Sequence, residues 1–391
     1  MRFLYYSTSY YASHGGSIQA IEFYNHLDEF KLIEEKSIFP KEAKKGFPGK
    51  AGAGKVRHWL KKIPLVQIFL FYRRNKFYLE GLKKEIQDFK PDVVLFQIDS
   101  NFLQLKKVKK WFPKLIIATQ INGSPFDEPF RNIAFRNFFL KKQRKAYMAS
   151  DVNFFVSDVS KNQIMGNNVD AQRDIIVPNG TSTQTFFPIE NKTQLREQLG
   201  YDVQKTLVGY VGTLDYHKKM LLLVKAFADL LNENAQLQLI IIGDGPAHKN
   251  ITSEVKRLGI EKEVLLKGWI KHDNLNKHLN CFDIAVHHYA SDYMNPMKIF
   301  EYLAVGLPVL APDIPSIKET FEDGKDLLIT KDTPKEIFKN LKKLVQDVSL
   351  RSRLTGNPRI LNDLKEKHSW ENYTRKIVQA VYEKIKNLQL G

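Results

Sequence analysis

Glu301 is the one acid in "PMKIFEYLAVGLPVLAP", the apolar run from residue 296 to 312. A carboxylate carried inward by such a run, with no obvious salt-bridge partner nearby, needs hydrogen-bond donors, and sugar hydroxyls would serve. Asn295 stands where it can cap a helix that has Pro296 at its first position, and Gly306 can end that helix in a left-handed conformation. The helix start then offers free amides and a positive dipole end to an anion. Lys298, following that start, is placed either to reach a phosphate or to lie in solvent.

A second candidate is "GKAGAGKV", residues 49 to 56, which fits the start of a P-loop. It has Val56 where a P-loop needs Ser or Thr for Mg²⁺, and the stretch before it, "FPKEAKKGFP", is no buried strand. A basic loop is the better reading. His287 and His288 adjoin at a strand end, so alternation sends them to opposite faces. No third ligand stands at zinc-like spacing, and no metal site is expected. Phe135, Phe138 and Phe139 read as a core-facing helical stripe.

The elements that must hold these residues follow from periodicity. Short apolar runs alternate with amphipathic stretches along the whole chain, the pattern of a parallel sheet wrapped by helices. "MRFLYYS" reads as the first strand and "HGGSIQAIEFYNHL" as a Gly-rich turn running into a helix. "PDVVLFQI", "KLIIATQI", "DVNFFVS" and "DIIVPNG" continue the first half, and after "FFPIENKTQLREQLG" the pattern restarts with "KTLVGYVGTL". "QLQLIIIGDGP", "EVLLKGW", "FDIAVHHY" and "LPVLAP" complete the second half. The expected fold class is α/β, two doubly wound Rossmann-like domains facing a cleft. Their expected bounds are 1–187 and 188–369, with a hinge near 186–204.

The 391 residues include 43% hydrophobic and 26% charged side chains, the mix of a globular protein. The single cysteine, Cys281, excludes an internal disulfide. No run reaches the length of a membrane span and the opening residues do not form a signal peptide, so a cytoplasmic protein is expected. The net charge is +17, and residues 36–76 hold twelve lysines and arginines against one acid, Glu42. With Trp59, Ile63, Leu65, Ile68, Phe69 and Tyr72 interleaved, the segment suits a helix in an anionic headgroup layer, or else a solvated loop and a core-facing helix. No nucleic-acid motif accompanies the charge, and no nucleic-acid partner is expected.

"NPMKIFEYLAVGLPV" resembles the donor-binding signature of the GT-B glycosyltransferases, specifically the retaining family 4 group, in a subgroup with a PMKIFEY-type motif. That pattern is E-x7-E followed by A-x-G-x-P-V. Glu301 matches its second Glu, which in the family hydrogen-bonds the donor ribose; Tyr293 replaces the first. "HGGSIQAIEFYNHL" is similar to the family's N-terminal Gly-Gly loop, and "IIVPNGTSTQTFFP" to its hinge, with Ser182 where an Asp is usual. "VGTLDYHKKM" resembles the phosphate loop G-R-L-x-x-x-K-G, with Thr213 replacing Arg and Lys218 keeping the basic position. "HSWENYTRKIVQAVYEKI" is similar to the helix, here 370–391, that packs back onto the first domain.

The resemblance implies a donor set of Gly15, Gly16, Thr213, Lys218, Gly268, Asn295, Pro296, Met297, Lys298 and Glu301, with Gly268 flanking the base. It implies a UDP- or GDP-linked sugar, no metal or other cofactor, and transfer with retention. The acceptor would be lipid-linked or a polysaccharide, in bacterial cell-surface glycan synthesis; a peripheral place on the inner face of the plasma membrane rests on the basic segment 36–76 and not on the resemblance. On the acceptor side, His14 adjoins the Gly pair, Asn122 holds the position of a family His, and Asp127 either contacts substrate or caps "EPFRNIAFRNFF". Asn122 can hydrogen-bond a sugar but cannot serve as a general base. A nucleotide-sugar isomerase or hydrolase of the same fold, and a basic nucleic-acid-binding protein, are the alternatives.

Overall fold

The computed structural model describes residues 1–11, 15–42, 63–98, 101–123, 136–355 and 357–390. The chain divides into two compact units, Met1–Pro178 with Trp370–Gly391, and Asn179–Ser369. Each is built on one six-stranded sheet in which every pairing is parallel.

In the first unit the strands are β1 (Arg2–Tyr6), β2 (Glu35–Phe39), β3 (Val93–Ile98), β4 (Ile116–Ile121), β5 (Val152–Phe155) and β6 (Asp174–Ile176), ordered β2-β1-β3-β4-β5-β6. β3 and β4 are buried almost end to end, as strands covered by helices on both faces must be. The order reverses between β1 and β3, so the loops leaving these strands diverge and open a crevice at their carboxyl ends. The helix Gly15–His26 starts there.

The second unit has β7 (Thr206–Val211), β8 (Leu237–Ile242), β9 (Val264–Gly268), β10 (Ile284–Val286), β11 (Val309–Pro312) and β12 (Leu328–Thr330). Their order, β12-β11-β10-β7-β8-β9, reverses between β7 and β10. Two cores flank this sheet. Phe282, Ile299, Phe300 and Tyr302 lie in one; Val224, Phe227, Leu341 and Leu344 lie in the other. Gly243, after β8, takes φ 140°, and a Cβ there would stand 1.9 Å from the Gly212 carbonyl oxygen, so only glycine lets the two loops close up.

The chain enters the second unit at Asn179, earlier than the expected bound of 187/188. Asn179 donates its backbone N–H to Asn295 Oδ1 at 2.9 Å and its side-chain amide to the Asn295 carbonyl at 2.8 Å. Phe186 is already in the second unit's core, and Thr181 N–H bonds the His368 carbonyl at 2.8 Å. These bonds tie the stretch before residue 187 into the second unit.

Candidate functional site

In the second unit, the loops leaving β7, β9 and β10 and the helix Met297–Ala304 gather the polar residues. Pro296 is the residue preceding that helix, with φ −70° and ψ 111°, and no side chain caps its first amides. The sequence-based assignment of Asn295 as cap and Pro296 as first helical residue is corrected accordingly. Asn295 is buried and its side chain is turned to Asn179 instead. Val305 closes the helix and Gly306, at φ 77°, carries the chain out in the left-handed region.

Glu301 is 3% exposed and has two partners. Its Oε2 accepts from Lys298 Nζ at 2.6 Å, one helical turn away, and its Oε1 stands 3.4 Å from His272 Nε2. The expectation of a carboxylate without a nearby ion-pair partner is therefore corrected. Burial pushes the Glu301 carboxyl up, but the Lys298 cation and the His272 ring outweigh it, and the group is held below its ordinary range, as a carboxylate. His272, at the start of the helix His272–Asn280, is braced edge-on by Phe186 at 5.1 Å between ring centroids.

Thr213 follows β7 and is exposed. Lys218 is half-buried, with Nζ 3.9 Å from Met294 Sδ, which joins the β7 loop to the β10 loop. Lys219, where the resembled phosphate loop has glycine, takes φ 51°. Its left-handed turn is held by His288, whose Nε2 lies 3.2 Å from the Lys219 carbonyl. Gly268 ends β9 at φ 70°.

His287 and His288 do not face opposite ways. Both rings lie against Tyr210 of β7, at 6.1 Å and 6.3 Å between centroids, and both are buried. β10 ends at Val286, so strand alternation no longer governs the two residues that follow. Neither His287 ring nitrogen has a hydrogen-bond partner among the described residues. Burial, Lys218, His288 and Lys298 all hold His287 well below its ordinary range, hence neutral.

In the first unit, Gly15 and Gly16 open the helix Gly15–His26. Gln97, at the end of β3, donates to the Gly16 carbonyl at 2.9 Å and to Gln19 Oε1 at 3.2 Å. Gln19 donates in turn to Asn122 Oδ1 at 3.0 Å and to the Tyr373 hydroxyl at 3.1 Å. Asn122 is thus part of a polar chain that reaches the helix Trp370–Leu390. His14, Asp127, Phe135 and the "GKAGAGKV" stretch lie outside the described residues.

Sequence reasoning did not single out His272, Gln19, Gln97 or Tyr373. His272 opens an amphipathic stretch 29 residues from Glu301, and no local spacing links the two. The glutamines read as ordinary helix and strand residues until the reversal of strand order brings Gln97 beside Gly16.

Residues 191–360 match the model of the family described as glycosyl transferases group 1. An uncharacterized glycosyltransferase of Methanocaldococcus jannaschii is 24% identical over 194 residues, 49% of this chain and 48% of the relative. The alpha-monoglucosyldiacylglycerol synthase of Streptococcus pneumoniae is 28% identical over 153 residues, 38% of this chain and 34% of the relative. The chain thus spans about half or less of the length of these curated relatives. Among solved structures, HepE of Anabaena in complex with UDP-glucose aligns with a TM-score of 0.71 at 15% identity, over 98% of this chain and all of that one. Sucrose-phosphate synthase of Thermosynechococcus elongatus aligns at 0.76 and 14% identity, over 99% of both chains. Residues 191–360 carry the sequence pattern of the glycosyl transferases group 1, on a chain whose two parallel sheets have the α/β fold of the GT-B type.

Proposed function

We propose that the protein is a glycosyltransferase that moves a sugar from a UDP- or GDP-linked donor to a lipid-linked or polysaccharide acceptor, with retention and without a metal. The observation that carries this is the buried, ionised Glu301, held between Lys298 and His272 at the switch point of the second sheet. A carboxylate accepts more hydrogen bonds than these two contacts supply, so it can take the two hydroxyls of a ribose. Breaking the bond between the anomeric carbon and the diphosphate puts negative charge on the leaving oxygens and positive charge on the sugar. In this reading Lys218 and the uncapped amides of the helix Met297–Ala304 stabilise the first of these. The departing phosphate takes the acceptor hydroxyl's proton in this reading, since no side-chain base is assigned.

The UDP-glucose complex of HepE supports a nucleotide-sugar donor, and the name of the pneumococcal relative supports a lipid acceptor. The enzyme then works at the inner, anionic face of a membrane, with segment 36–76 as the contact expected from sequence.

The test is a thermal-shift panel with UDP, GDP, ADP, CMP and ATP, each with and without Mg²⁺, on the wild type and Glu301→Ala. A nucleoside diphosphate at ~100 times its dissociation constant stabilises by about 2.7 kcal/mol. The expected result is a shift with UDP or GDP that does not need Mg²⁺ and is lost in the variant. A shift with Mg-ATP alone would overturn the reading. Release of free sugar from a UDP- or GDP-sugar, at the same rate with and without acceptor, would assign a hydrolase.

A further inference from the structure

The expected stripe of Phe135, Phe138 and Phe139 divides in the structure. Phe139 is buried, whereas Phe138 is 53% exposed on the outer side of the helix Arg136–Tyr147. The neighbouring helix Pro64–Phe77 does the same with larger groups. Phe71 and Asn75 face inward, while Leu65, Phe69 and Tyr72, spaced four and three residues apart, line the outer face at 74%, 62% and 40% exposure. Lys142 joins the two stripes. It donates to the Tyr72 hydroxyl at 2.6 Å, and its ammonium lies 4.5 Å from the Phe138 ring centroid and 5.2 Å from that of Tyr72.

Both helices are of one sign. Pro64–Phe77 carries Arg73, Arg74 and Lys76, and Arg136–Tyr147 carries Arg136, Lys141, Lys142, Arg144 and Lys145; neither has an acid. Lys76 continues the Leu65–Phe69–Tyr72 stripe by one turn and is exposed, as are Lys141 and Lys145. Exposed Leu and Phe side chains gain nothing in water, and phosphate contacts to a nucleic acid would not require them. A second copy of the chain would set cations against cations. An anionic bilayer satisfies both features, taking the apolar groups into its acyl boundary while its headgroups meet the lysines.

We infer that the joint face of the helices Pro64–Phe77 and Arg136–Tyr147 docks on an anionic membrane, with Leu65, Phe69 and Phe138 inserted and Lys76, Lys141, Lys142 and Lys145 on the headgroups. This rests on the part of the proposed function that puts the enzyme at a membrane, and not on the transfer chemistry. It also moves half of the contact onto a helix that the basic segment 36–76 does not include.

The full chain is floated with vesicles of phosphatidylcholine alone, or with about one third phosphatidylglycerol, at low and high salt. Wild type is expected to float with the anionic vesicles at low salt and to lose most of its binding as the ionic strength is raised. Leu65→Ser with Phe69→Ser, and separately Lys141→Ser with Lys145→Ser, are each expected to lower partitioning at least tenfold. The nucleoside-diphosphate thermal shift is read on the same variants and is expected to stay, which shows they are folded. If that shift is absent in wild type too, the donor reading fails while the flotation result still stands.

Absence of wild-type flotation at low salt overturns the inference. Unchanged partitioning of both variants overturns it as well, since other residues then do the binding. Two further outcomes would assign the face elsewhere and overturn it. One is duplex DNA binding that both variants lose; the other is a concentration-dependent dimer abolished by Leu65→Ser with Phe69→Ser.

Discussion

At Glu301 two opposing costs meet. Removing a carboxylate from water favours its neutral form, and a cation at 2.6 Å favours the charged one. Here the cation wins, so the folded carboxyl titrates below the unfolded one. Its contribution to stability is then complete above the ordinary Glu range near pH 4.5 and is lost as pH falls through the lower folded value. Glu301→Gln keeps the shape and removes the charge. It is expected to cost about 1.5–3 kcal/mol at pH 7, and urea unfolding should show the gap from wild type closing as the pH is lowered below 4.5. A gap independent of pH would mean that Glu301 is not ionised in the fold. His288 acts with the same sign by the opposite chemistry. Burial lowers it to about 4, so it stays neutral when folded while the unfolded imidazole titrates near 6.5. Stability should be complete above pH 6.5 and decline by roughly 3 kcal/mol towards pH 4, and His288→Phe should flatten that part of the profile.

Among the elements, the helix Trp370–Leu390 is the one whose place follows least from its neighbours in sequence. It is counted with the first unit although 191 residues of the second unit precede it, Asn179–Ser369. Tyr373 is its polar anchor, its hydroxyl receiving from the side-chain amides of Gln19 and Gln120. Tyr373→Phe leaves two buried amide donors without that acceptor and is expected to cost about 1–3 kcal/mol in urea unfolding. Tyr382→Phe, on a more exposed part of the same helix, is expected to stay within about 0.5 kcal/mol. Equal effects would mean that the helix is held by apolar packing alone. Two of the four edge strands, β2 and β12, behaved differently in sequence from the rest, whereas the edges β6 and β9 read as strands. β3, β4, β7 and β8 are mostly apolar and were legible as strands. β2, "EKSIF", was not, since it carries Glu35, Lys36 and Ser37 at the sheet edge, where one side of a strand meets no partner. β12, "LIT", is too short to show any period.

Over the whole molecule, the net charge of +17 works against compactness as well as toward an anionic partner. Many of the ion pairs lie at the surface, such as Lys271–Asp273 and Lys325–Glu322, and are worth little. Screening by NaCl is therefore expected to raise the unfolding temperature, by roughly 2–4 °C if it contributes about 1 kcal/mol to a unit of this size. Calorimetry at low and moderate salt reads this directly. A fall in unfolding temperature would mean that attractive surface pairs outweigh the repulsion. No helix among the described residues is long and apolar enough to cross a membrane.

The sequence by itself determined the alternation of strand and helix, the restart that makes two sheets, and Glu301 as a buried acid in an apolar helix. These are local properties, since periodicity and burial are written within ten or twenty residues. The tertiary structure decided which charges meet. Lys298 pairs with Glu301 because their helical phase allows it, but His272 arrives from the start of another helix and Asn179 claims the Asn295 side chain from 116 residues away. Likewise Phe138 and Phe139 are adjacent and equally apolar in sequence. Only the packing of helix against helix sets one of them inward and leaves the other to solvent, because a helix turns about 100° per residue and its neighbours fix the direction of inward.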